Sequence, residues 1–100
     1  MLTSRVLQVA QIIPLSFNNQ PIINLNNAIP AFVASKNTTE SPIWLVDQYT
    51  GFTMGDLGDG VHPNDSGDRK MAEKWYPALV AAIKAARGTV QNKRAVEFTA

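Results

Sequence analysis

Apolar positions fall along this chain in two kinds of run. Val6-Leu7-Gln8-Val9-Ala10-Gln11-Ile12-Ile13-Pro14 is short, rich in β-branched residues and closed by proline. It is too continuous for a half-exposed strand, so it predicts one buried on both faces, as in a parallel sheet. Pro42-Ile43-Trp44-Leu45-Val46-Asp47-Gln48 repeats the pattern and ends on an acid. Between them Ile22, Leu25, Ile29, Phe32 and Val33 recur at steps of three and four, which predicts a helix over about 22–35. Pro21 suits its first turn, and Pro30 inside it predicts a kink or a split. A second helix is predicted over 66–87, where Met71, Trp75, Leu79, Ile83 and Ala86 draw one apolar stripe backed by Ala72 and Ala82. Pro77 should bend it, and Gly88 should stop it, with Lys84 and Arg87 in the last turn.

The order strand, helix, strand, helix predicts an α/β class with a parallel sheet. Such a sheet must be covered on both faces, and two strands with two helices cannot do that for each other. Both strands are also nearly free of the charges that usually protect an edge. The expectation is therefore the C-terminal βαβα portion of a larger fold over 1–87, followed by a loose polar tail over 88–100. On that reading the isolated chain is marginally stable, self-associating, or dependent on the missing strands.

Composition changes this picture little. A hydrophobic share of 45% with 17% charged residues places the chain among globular sequences. A net charge of +1 gives no reason to expect nucleic acid or an anionic membrane as partner. No Lys or Arg lies between Lys36 and Arg69, while Glu40, Asp47, Asp56, Asp59, Asp65 and Asp68 all do. An acidic segment leading into a basic helix is the polarity the helix dipole favours. With no cysteine there is neither a disulfide framework nor a thiolate metal site, and no cofactor is expected. Asp47, Asp56 and Asp65 form no calcium loop and read as helix-end charges. No apolar run reaches the roughly 20 residues that span a membrane. Met1 to Arg5 show no signal-peptide core, which suggests an intracellular protein or a start downstream of the natural one. Sequons at Asn37-Thr38-Thr39 and Asn64-Asp65-Ser66 are common by chance.

The chemistry concentrates in Asp59-Gly60-Val61-His62-Pro63-Asn64, which holds the single histidine of the chain. A near-neutral imidazole is the usual proton acceptor in nucleophilic catalysis, and a carboxylate fixes its tautomer and stabilises its cation. On a turn, a spacing of three lets the Asp59 carboxylate curl back onto the His62 ring. Pro63 would stiffen the exit and Asn64 would cap the following helix. Four glycines in the 49–63 connection, Gly51, Gly55, Gly58 and Gly60, let it fold over the strand end, where open α/β folds place their sites. Trp44 and Trp75 read as core, whereas Tyr49 and Phe52 are candidates to line a cleft.

From Pro42 to Leu79 the chain resembles the C-terminal end of SGNH hydrolases, the GDSL-type esterases, and most nearly their acetylxylan-esterase-like branch, carbohydrate esterase family 3. The resemblance rests on the strand end Leu45-Val46-Asp47, the glycine-rich loop, Asp59-Gly60-Val61-His62-Pro63-Asn64, then Gly67, Met71-Ala72 and Trp75-Tyr76. Val6 to Pro14 and Asn26-Asn27-Ala28-Ile29-Pro30 are similar to the preceding strand and helix, so it covers most of 6–87. It implies a three-layer α/β/α, flavodoxin-like fold and ester hydrolysis by a Ser-His-Asp triad. His62 would be the general base and Asp59 its orienting acid. The substrate would be a small ester or acetylated carbohydrate, and the compartment extracellular.

The family's nucleophile and oxyanion blocks are not found here. Gly55-Asp56-Leu57-Gly58 has no serine after its aspartate, and Asp65-Ser66-Gly67 lacks the leading glycine and sits at a helix cap. Asp68 stands where family members often carry an aromatic. Three functions stay open: an esterase of which this is the C-terminal part, a non-catalytic truncated remnant, and a small binding module using the acidic loop. The expected partner under the first is the missing N-terminal part of the same fold. Without it the chain should be inactive.

Overall fold

The computed structural model describes residues 6–99, with side chains described through residue 87. The chain runs β1 (Leu7–Gln11), α1 (Gln20–Lys36), β2 (Ile43–Asp47), a short 3₁₀ turn (Met54–Asp56) and α2 (Asp65–Thr99). β1 and β2 pair in parallel, from Leu7 opposite Ile43 to Gln11 opposite Asp47. They form a two-stranded sheet among the described residues, with α1 as the crossover. The expected α/β arrangement is therefore present, in part.

α1 begins two residues ahead of the predicted start and passes Pro30 without a split. Asn26 and Val33, one on each side of that proline, are both buried, and α1 packs on both strands. That anchoring offsets the roughly 3 kcal/mol a helix-interior proline costs relative to alanine. The buried face is only part of the one the apolar spacing suggests: Val33 is buried and Ile22 and Ile29 are half-buried, but Leu25 and Phe32 are exposed while Asn26 is buried. Asn26 takes the place of a strand neighbour beyond the end of β1. Its Oδ1 accepts from Ile12 N (2.8 Å) and its Nδ2 donates to Ile12 O (2.9 Å). A buried amide that satisfies both backbone groups of one residue escapes the penalty for burying unpaired polar atoms.

α2 runs on through Gly88 to Thr99, so the expected stop at Gly88 is not seen. One glycine costs a helix interior only about 1 kcal/mol relative to alanine. The expected loose tail over 88–100 falls where the side chains lie outside the described residues.

Burial on both faces of the sheet is not reached. Val46 is buried, but Leu7 is 56% exposed and Leu45 40%, and Leu79 and Ile83 of the α2 stripe are also exposed. The Cα radius of gyration is 17.4 Å, against about 13 Å for a compact domain of this length. Two strands and two helices close no core of their own. The buried apolar side chains among the described residues are Val33 on α1, Val46 on β2, Phe52 and Leu57 in the 49–63 connection, and Ala82 on α2. Phe52 is thus a packing residue first.

Candidate active site

The connection from β2 to α2 is built as a pinned loop. Asp47 at the end of β2 accepts the amides of Tyr49 and Thr50 on Oδ1, both at 2.9 Å. Burial acts to raise the Asp47 carboxyl, but these bonds and one from the Thr50 side chain outweigh it and lower the pKa. The 3₁₀ turn follows, closed by a reciprocal capping box between Thr53 and Asp56. Leu57 and Pro63 then form an antiparallel bridge, and Gly58 N donates to His62 O (2.8 Å). Residues 58–62 are the tip of this small hairpin. Neither the 3₁₀ turn nor the bridge is visible in hydrophobic periodicity, because both are held by polar groups.

Asp59 and His62 meet at that tip. Asp59 Oδ1 accepts the amides of Val61 (2.9 Å) and His62 (2.6 Å), and Oδ2 lies 2.7 Å from His62 Nδ1. The His62 amide, the His62 ring and the Val61 amide together hold the Asp59 carboxyl well below the usual carboxylate range. An ionised carboxylate only accepts, so Nδ1 carries a hydrogen, and in the neutral ring this leaves the lone pair on Nε2. Gly60 makes the turn possible at φ 85°, a left-handed conformation that side-chain-bearing residues rarely adopt. A Cβ there would also strike Ser16 Oγ, since the loop after β1 packs onto this turn with Ser16 N donating to Gly60 O (3.0 Å). The pair is solvent-facing, with side chains 76% (His62) and 59% (Asp59) exposed.

Asn64 caps α2 as its position predicts: its Oδ1 accepts from Gly67 N (3.1 Å) and its Nδ2 donates to Gly55 O (2.8 Å). Asp65 and Asp68 lie in the first turn of α2, where the dipole favours them. Asp56, read from the sequence only as a helix-end charge, closes the 3₁₀ turn. It is 4% exposed, and its carboxylate accepts from Thr53, Ser66 and Lys70. Among the described residues no serine hydroxyl hydrogen-bonds the His62 ring. Ser66 Oγ lies 2.8 Å from both Asp56 Oδ1 and Asn64 Oδ1, and Ser35 Oγ donates to Phe32 O within α1.

Two clefts open beside the loop. One of about 150 Å³ at the carboxyl ends of the strands is lined by Gln11, Asn26, Asp47 and Tyr49, whose hydroxyl accepts from Asn19 Nδ2 (2.9 Å). The other, about 380 Å³, is lined by Gln48, Phe52, Lys70 and Lys74. Neither is lined by Asp59 or His62.

No protein-family model matches the chain, and no curated protein does. Two solved structures match. One is the crystal structure of a serine-to-alanine acetyl esterase mutant with an acetate ion, 40% identical with a TM-score of 0.77. The other is a carbohydrate esterase family 3 protein from Talaromyces cellulolyticus, 40% identical with a TM-score of 0.76. The chain therefore resembles the SGNH-type esterases. Each match covers 79% of this chain but only 40% of the solved chain. The SGNH-type architecture here is thus partial: two parallel strands and their helices from a flavodoxin-like α/β/α fold. No helix among the described residues is long and apolar enough to cross a membrane.

Proposed function

We propose that this chain is the C-terminal part of a serine ester hydrolase and supplies the histidine–aspartate half of its triad, acting on small acetyl or carbohydrate esters. The observation that carries this reading is the 2.7 Å contact between Asp59 Oδ2 and His62 Nδ1 at the tip of a pinned loop. In the reaction, His62 Nε2 takes the proton from a serine hydroxyl as that oxygen adds to the ester carbonyl. Asp59 holds the ring and stabilises the imidazolium that forms. The same proton then passes to the departing alcohol, and the cycle repeats with water. Serine and oxyanion donors come from further strands of the fold. Gln8 Nε2 and Gln48 Oε1, buried without partners, and the bare faces of β1 and β2 support that view. In this division residues 1–87 belong to the esterase domain, 88–100 lie outside it, and the assembled protein works outside the cell, a reading that rests on the resemblance to carbohydrate esterases.

A second reading, a truncated remnant without turnover, is favoured by the same incomplete sheet. p-Nitrophenyl acetate hydrolysis separates the two. The chain alone should match its His62→Ala variant. Co-expressed with the N-terminal portion of a carbohydrate esterase family 3 enzyme, it should hydrolyse the ester, and His62→Ala should remove about 10²–10⁴-fold of that rate. A well-folded complex with no such activity would leave the remnant reading in place.

A further inference from the structure

We infer that Asp56 is a positioning residue for the His62–Asp59 pair: its buried carboxylate ties both ends of the 57–63 loop to α2 and so sets where His62 stands. This rests on the esterase reading of that pair. Asp56 touches no reacting atom; it acts through the loop.

Its contacts fall on every segment that frames the loop. On the entry side, Oδ2 accepts from Thr53 N (2.8 Å) and Thr53 Oγ1 (3.0 Å). On the exit side, Oδ1 accepts from Ser66 Oγ (2.8 Å), and the Asp56 carbonyl accepts from Asn64 N (2.8 Å). From the second turn of α2, Lys70 Nζ donates to Oδ2 (2.6 Å) and to Gly51 O (3.0 Å). The residues just before and just after the hairpin are thereby held to one carboxylate, with the Leu57–Pro63 bridge between them. A buried carboxylate is costly unless it is paired and hydrogen-bonded. Here all its bonds converge on the base of one hairpin, and that hairpin carries Asp59 and His62. By contrast, among the described residues the pair's own hydrogen bonds lie within its hairpin, which is otherwise tied to the Ser16 amide.

A loss of general stability would weaken many contacts together, whereas a positioning role predicts a local change at Asp59. The test is carbon-detected NMR of side-chain carboxyls across a pH titration of the full chain, for the parent, Asp56→Asn and Ser66→Ala, with α2 backbone amides as the reference for folding. In the parent the Asp59 carboxyl should titrate below the ordinary aspartate range of about 3.9. In Asp56→Asn it should return to that range, and the His62 Nδ1–H signal should be lost to exchange while the α2 amides persist. Should Asp56→Asn abolish the α2 amides, Ser66→Ala is read instead. It keeps the carboxylate and removes one donor, and the Asp59 midpoint should move upward by a smaller step. An Asp59 titration unchanged in a folded Asp56→Asn, or in Ser66→Ala where that is the variant read, overturns the inference. A pair held as described in a complemented protein that hydrolyses no ester would overturn the esterase reading and leave the positioning role standing.

Discussion

Gly67 is the tightest point beneath the site, and Gly67→Ala measures how rigid that base is. The residue is buried in the first turn of α2. A Cβ built there would fall inside contact distance of the Asp56 carbonyl oxygen, 2.8 Å from Pro63 Cβ and 2.9 Å from Phe52 Cζ. None of the three yields cheaply. The carbonyl accepts the Asn64 amide at 2.8 Å, Pro63 is held in the bridge to Leu57, and Phe52 is buried. Overpacking of this kind costs about 1–3 kcal/mol, and a clash with backbone belongs at the top of that range. Alanine returns about 1 kcal/mol of helix propensity, so the net loss is about 2 kcal/mol. With a urea slope near 1 kcal/mol/M for a chain of this size, the midpoint should fall by about 2 M. The assay is urea denaturation followed by helix circular dichroism, run in an osmolyte such as TMAO so that the parent has a native baseline. Gly55→Ala is the control, because its Cβ would meet only Thr53 Oγ1 at 3.7 Å; its midpoint should move by less than about 0.5 M. A Gly67→Ala midpoint at or above the parent would show that the loop base gives way, and the packing argument would fall.

Acid should loosen the same region. Lys70, the Thr53 amide and Ser66 hold the Asp56 carboxyl well below the usual carboxylate range, so its stabilising contribution is complete above the unfolded value of about 3.9 and is lost as pH falls below it. Circular dichroism melts at pH 7, 4 and 3 should show the parent's melting temperature dropping below pH 4, and Asp56→Asn should show a smaller drop. Pro77→Ala should stabilise α2 by up to about 3 kcal/mol, because proline cannot donate to the carbonyl four residues back; a lowered urea midpoint would mean that the proline is needed where it stands. Sedimentation of the parent should reveal self-association through bare sheet edges, and Leu7→Lys, at a 56% exposed edge position, should reduce it. A stable monomer with a sharp transition above about 5 kcal/mol would instead mark the chain as a self-sufficient domain.

The sequence alone determined what depends on short-range chemistry. Period and composition placed both strands and both helices, because β-branched apolar runs and three-four spacing act within a few residues. The spacing of Asp59 and His62 was enough to foresee their contact, since a turn closes three residues without help from elsewhere. The cap at Asn64 follows from the same local logic. Helix ends and faces were decided otherwise: Gly88 costs α2 too little to end it, packing of α1 on both strands offsets Pro30, and Asn26, reaching Ile12 across 14 residues, joins Val33 on the buried face of α1. Only the tertiary structure could single out Asp56. Its partners Thr53, Ser66 and Lys70 lie 3, 10 and 14 residues away, and no periodicity links an acid in a glycine-rich loop to a lysine on the next helix. Folding brings them together because the 3₁₀ turn and the hairpin reverse the chain twice. A carboxylate taken out of water there must gather whatever donors that reversal supplies.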